Sequence, residues 1–171
     1  MSDRISDLGE SKVKDQERSM KQNLMFFGLP ESENENTEHV LHDFMKTKLA
    51  SIKDNLPMRF ERTHRYGGSK KSQPRPIVCR FSFFKDRELV RNSSKDLRHT
   101  DFSIKEQLPR EVLNRRRILH KKFQEARQQN RHATLRRDIL VIDGTEYKVN
   151  QNNTIYETGR TFRPRSDKQH R

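Results

Sequence analysis

The stretch Asn23-Leu-Met-Phe-Phe-Gly-Leu-Pro-Glu31 constrains the fold more than any other. Apolar side chains run between polar flanks, and the Gly-Leu-Pro exit cannot continue regular pairing, so the run reads as a short buried strand. Alternation sends Met25, Phe27 and Leu29 to one face and Leu24, Phe26 and Gly28 to the other. Both faces carry apolar groups. In a sheet covered by helices on one side, the second face needs its own partner. Either another part of the chain covers Phe26, or Phe26 is a platform on which a nucleic-acid base stacks.

Charge narrows the choice of partner. The 171 residues carry a formal net charge of +13 with a pI near 10.2, which points to a phosphate polyanion or an anionic membrane face. The excess is densest over residues 110–149, where 11 basic side chains meet 5 acidic ones. Only 29% of residues are apolar and 36% are charged, so the whole length cannot be core and the ends are expected to be flexible. No apolar run approaches the roughly 18 residues of a membrane span, and there is no signal peptide or lipidation motif. The expected location is intracellular, in a cytoplasmic ribonucleoprotein or the nucleus, with no membrane partner. Cys79 stands alone in an apolar run and reads as a reduced core residue.

Along the chain, residues 1–20 read as a disordered leader or the residue of a coiled coil whose heptad fails after Leu8. Residues 21–107 follow the order β-α-β-β-α-β, the split βαβ plan of RNA-recognition folds. A helix is expected over 37–50, with Val40, Leu41, Phe44, Met45, Leu49 and Ile52 on one side. Strands are expected at 58–66, from Pro76 through Phe83, and at 101–106, with a helical segment at 85–97. Residues 67–76 form a basic Gly- and Pro-containing loop. Residues 108–150 read as a small C-terminal domain, a helix opened by Pro109 followed by a hairpin at Asp143-Gly144. Residues 151–171 read as a disordered basic tail. The fold class is therefore α+β.

Three segments fall in an order and at spacings similar to one known family: Asn23 to Glu31, the strand ending Val78-Cys79-Arg80-Phe81, and Leu108-Pro109-Arg110-Glu111 leading to Arg115-Arg116-Arg117. Over about residues 18–149 the chain resembles the RNA-binding half of the first-open-reading-frame protein of LINE retrotransposons. The resemblance implies a single-stranded RNA- and DNA-binding protein without sequence specificity, acting as a nucleic-acid chaperone. In the family, an RNA-recognition domain and a C-terminal domain are trimerised by a long N-terminal coiled coil. Residues 1–20 are not expected to form that coiled coil, which leaves self-association open and a trimer in doubt. Laid on the third strand, the RNA-recognition signature also puts Pro76 and Val78 where stacking aromatics belong, a departure the family shares.

By the resemblance, Arg116 and Arg117 match the arginine pair of the family's C-terminal helix, Tyr147 its binding tyrosine, and Arg131 a basic residue after the helix. From the residues alone, Arg80 faces outward on the third strand, and Lys121 lies opposite the apolar side of the C-terminal helix. Arg62, His64 and Arg65 end the second strand, and Lys70, Lys71 and Arg75 tether phosphate from the loop. Phe26 completes the set as the stacking platform. His39 and His42 lack further ligands, and no phosphate loop or nucleophile elbow is present, so neither enzyme activity nor a metal or cofactor is expected. The competing reading is a protein-interaction module that docks a partner on the sheet face.

Overall fold

The computed structural model describes residues 2–68 and 72–162. In chain order the elements are α1 (Ser2–Met20), β1 (Asn23–Phe27), α2 (Thr37–Lys48), β2 (Phe60–Arg65), β3 (Ile77–Phe81), α3 (Phe84–Asn92), β4 (Ser103–Glu106), α4 (Arg110–Gln128), β5 (Ala133–Arg136), β6 (Ile139–Ile142), β7 (Thr145–Val149) and β8 (Ile155–Thr161). Short 3-10 segments, Ala50–Asn55 and Ser93–Leu97, follow α2 and α3. The fold is mixed α+β with two four-stranded antiparallel sheets, ordered β2-β3-β1-β4 and β5-β6-β7-β8. Asp15–Gln107 form one compact unit, and the residues from Leu108 onward form another with the first 14.

In the first unit, β1 sits between β3 and β4. Leu24 faces Cys79, and Phe26 faces Ile77 on one side and Ile104 on the other. Directly opposed residues share a face, so the apolar positions of all three strands fall together under α2 and α3. Asn36 caps α2 by accepting a hydrogen bond from the His39 N–H at 3.1 Å, and the helix then places Leu41, Phe44 and Met45 against the sheet. Burial pushes the Cys79 thiol up, leaving it an unreactive core group.

This register corrects the reading of Phe26 as a stacking platform. Phe26 is fully buried, and its ring meets Phe44 edge to face at 6.0 Å. The opposite face receives Met25 and Phe27. The turn after β1 is fixed by Gly28, whose φ is 88° and where a Cβ would lie 2.5 Å from the Asp101 carbonyl oxygen. Phe83, expected as the inward end of the third strand, is instead 53% exposed at the start of α3. The strand stops at Phe81.

The second unit holds the expected hairpin. Asp143 and Gly144 both have positive φ, 48° and 87°, as a type I′ turn requires. β5 and β8 enlarge that hairpin into a sheet, against which α4 packs Leu119, Phe123 and Ala126. The tail read as disordered from residue 151 thus contains a strand. Its amide-rich start is a turn in which Asn150 Oδ1 accepts from the N–H groups of Asn152 and Thr154, each at 2.9 Å. The leader, read as disordered or as the residue of a coiled coil, is helical through Met20. Its Val13 is buried, and Arg115 of α4 donates to Glu10, tertiary ties that a polar composition does not reveal.

Truncating Phe26 to Ala is expected to lower the unfolding free energy by about 3–5 kcal/mol, measured by urea denaturation, because it empties the centre of the first core. A cost under about 1 kcal/mol would contradict the register.

Candidate nucleic-acid interface

Arg65 reads in sequence as a binding residue at the end of the second strand, but in β2 it pairs with Ile77 and turns to the core side. Its side chain is 5% exposed. Nε donates to Glu35 Oε1 at 2.6 Å, Nη1 to the carbonyls of Leu29 and Arg75 at 2.9 and 2.6 Å, and Nη2 to the Pro30 carbonyl and Glu35 Oε2 at 2.7 and 3.0 Å. A guanidinium has five N–H donors, and all five are used. Arg65 is a clamp between the β1 exit, the start of α2 and the β2–β3 loop, with no donor left for phosphate. The same contact holds the Glu35 carboxyl below its ordinary range.

Arg75 donates from Nε to Glu31 Oε1 at 2.8 Å, and the pair holds the Glu31 carboxyl low. Arg80 does lie on the face opposite the core, where Nε donates to Glu61 at 2.7 Å and Nη1 to the Ser19 carbonyl at 3.0 Å. Lys70 and Lys71 lie outside the described residues. That face also carries Met25 and Phe27 of β1, exposed Arg62 and His64 of β2, and exposed Lys105 of β4, whose Nζ stands 5.1 Å from the Phe27 ring centre. Val78, between Met25 and His64, is buried. Phe27 is the aromatic that the sequence reading missed. The alternation was visible, but nothing in the run says which parity the core takes.

In the second unit, α4 turns Val112, Leu119 and Ala126 inward, which leaves Arg110, Asn114, Arg117, Lys121 and Gln124 on the opposite, exposed side. From Arg110 to Lys121, the first and last of the three cations, is a rise of about 16 Å along the helix. Among the described residues none of the three has a hydrogen-bond or ion-pair partner. Arg116 differs from its neighbour: Nη1 donates to the carbonyls of Leu135 and Arg137, at 3.4 and 3.0 Å, so it fastens the helix to the end of β5. Arg131 is paired to Asp143 at 2.6 Å, which lowers the Asp143 carboxyl and braces the hairpin turn. The Tyr147 hydroxyl donates to Glu157 at 3.1 Å, and Lys122 sits 4.6 Å over its ring. Burial, with the neighbouring Glu157 carboxylate, raises the Tyr147 hydroxyl pKa.

Of this stripe, sequence reasoning named Arg117 and Lys121 but not Arg110, whose place in it follows only from where the helix begins. No model of a known protein family matches the chain, and no curated protein does either. Among the described residues no helix is long and apolar enough to cross a membrane, and no three His, Cys, Asp or Glu side chains are grouped to hold a metal ion.

Replacing Arg65 with Ala leaves a buried carboxylate unpaired and is expected to cost about 3–5 kcal/mol. Because the folded-state pKa of Glu35 is depressed, its contribution is present above the ordinary glutamate value, about pH 4.3, and is lost as pH falls through the lower folded value. Acid unfolding of the Glu35→Gln variant should therefore be less steep below that pH than in the wild type, and an identical profile would contradict the clamp. Arg116→Ala should cost about 1–2 kcal/mol in a denaturant titration, whereas Arg117→Ala should stay within about 0.5 kcal/mol of wild type.

Proposed function

We propose that this chain binds single-stranded nucleic acid, RNA foremost, mainly through the phosphate backbone. On this reading it is a nucleic-acid chaperone of the kind represented by the LINE first-open-reading-frame proteins, a binding protein and not an enzyme. The observation that carries the proposal is the stripe Arg110, Arg117 and Lys121 on α4, three cations left without acceptors while Arg65, Arg75, Arg80 and Arg131 are each paired to a carboxylate. An unpaired, ordered row of cations suits a row of phosphates. The first unit supports the same reading. Its chain order β-α-β-β-α-β and sheet order β2-β3-β1-β4 fit the split βαβ plan of RNA-recognition folds. On the sheet face opposite α2 and α3, Phe27 takes the stacking role first assigned to Phe26, with Lys105 beside it and Arg62 and His64 across β3 on the same face.

The test is a fluorescence-polarisation titration of single-stranded RNA over a range of salt. A backbone binder loses affinity linearly in log salt, with about 0.7 units of slope per phosphate neutralised on a single strand. Substituting Arg110, Arg117 and Lys121 together by Ala should therefore lower the slope by about two units and weaken binding to all sequences alike. Phe27→Ala should cost about 1–3 kcal/mol of binding with little change in slope. Wild-type affinity that is flat in salt would instead favour a protein-docking module, and a triple variant with an unchanged slope would remove α4 from the interface.

A further inference from the structure

The second sheet has an outer face, turned away from α4, that none of the foregoing uses. Thr134 and Arg136 of β5, Ile139 and Val141 of β6, Glu146 of β7 and Phe162 just past β8 line a cavity of about 550 Å³ there. Glu146 is only 3% exposed, and a buried carboxylate on the solvent side of a sheet needs a reason. The backbone explains how it gets there. Between the pairs Tyr147↔Glu157 and Thr145↔Thr161 a single β7 residue, Glu146, faces three residues of β8. This bulge passes through Gly159 at φ 76° and folds Thr158 over the carboxylate. Glu146 Oε1 accepts from the Thr158 hydroxyl at 3.1 Å and lies 3.7 Å from Lys148 Nζ. Among the described residues Oε2 has no partner, so most of the carboxylate's acceptor sites are unfilled.

Phe162 forms the rim. Its N–H donates to the Gly144 carbonyl at 2.7 Å, and its own carbonyl lies where a Cβ on residue 144 would stand, so the hairpin glycine permits the close approach that holds Phe162 in place. The ring is half exposed, a flat apolar wall with one free face. Ile139 and Val141 make the cavity apolar, and Arg136 at its edge is exposed.

We propose that this cavity takes one unpaired nucleobase, guanine, from the bound strand. The inference rests on the single-strand binding proposed above and adds one base-reading pocket to an otherwise sequence-tolerant interface. A planar heterocycle suits the Phe162 ring. The carboxylate selects which one, because guanine alone presents two adjacent N–H donors, N1–H and the N2 amino group, on its Watson–Crick edge. Adenine and cytosine place a ring acceptor beside their amino group, and uracil flanks its one N–H with carbonyls, so each would set an oxygen or nitrogen lone pair against Glu146. A ligand cation is disfavoured by Lys148, 3.7 Å from the carboxylate, and by Arg136 elsewhere on the cavity lining. Arg136 is left to meet the adjoining phosphate.

The experiment compares the full chain with Glu146→Gln and Phe162→Ala in polarisation titrations against single-stranded oligo(GU), oligo(IU) and oligo(U) of equal length at one salt concentration. Inosine lacks only the N2 amino group. Wild type is expected to bind oligo(GU) at least about fivefold more tightly than oligo(IU), the lower end of what one bidentate base contact gives. Glu146→Gln should bind the two alike. Phe162→Ala alters a half-exposed side chain and keeps the test decisive should the glutamine variant not fold; it should weaken oligo(GU) binding more than oligo(U) binding. Equal wild-type affinity for oligo(GU) and oligo(IU), a guanine preference that survives Glu146→Gln in a folded variant, or Phe162→Ala with unchanged oligo(GU) binding would each overturn the pocket. Wild type that binds oligo(U) with the expected salt dependence but shows no guanine preference overturns the pocket alone. Failure to bind any of the three removes the single-strand reading as well.

Discussion

The parity of β1 is the constraint on which the first unit depends. Phe26 lies opposite Ile77 and Ile104 at once, so one buried ring fixes the register of three strands. A slip of one residue would send Phe26 and Leu24 to the far face and bring Met25 and Phe27 into the core, reversing every side chain of the strand. What holds the register is the mutual fit of Phe26, Phe44 and Phe102, stacked edge to face under α2, together with Gly28, which lets the chain turn tightly past Asp101. The same parity determines that Phe27, with Lys105 beside it, is the aromatic on the opposite face.

A second economy concerns arginine. In a chain with 37 Lys and Arg, four arginines in or beside strands are fasteners: Arg65 to Glu35, Arg75 to Glu31, Arg80 to Glu61, Arg131 to Asp143. Each carboxylate removes a cation from the set available to a partner and converts it into a tie between segments distant in sequence. Net charge therefore overstates how much of the surface is ready for phosphate, and the position of the leftover cations says more than their number. Three of them, Arg110, Arg117 and Lys121, line the outward side of α4, where the helix itself spaces them.

Much of this fold was legible. The alternation at Ile77–Phe81, the apolar side of α2 and the Asp143-Gly144 turn are local signals, and each led to the element found. The misses have physical causes. β5 is joined to β6 through Arg137 at φ 52°, a left-handed turn on a residue that gives no turn signal, and β8 follows an asparagine turn that composition alone equates with disorder. α1 has one buried anchor, Val13, too little for a periodic pattern to show. The candidate site was legible by residue type and not by role. Arg65 and Arg117 look alike in sequence, and only the positions of Glu35 and the Leu29, Pro30 and Arg75 carbonyls make one a clamp and leave the other free. Glu146 gave no signal at all, because its burial arises from a bulge in the neighbouring strand.

The central claim is that the cations left unpaired by the fold, and not the paired ones, meet the nucleic acid. Chemical footprinting tests it directly: the folded protein is treated with an arginine- and a lysine-modifying reagent, with and without saturating single-stranded RNA, and each site is read by mass spectrometry. The account predicts that Arg110, Arg117 and Lys121 react in the free protein and are protected by RNA, while Arg65 is unreactive in both states. Modification of Arg65 in the folded protein that RNA then blocks, or equal reactivity of Arg117 and Lys121 with and without RNA, would contradict it.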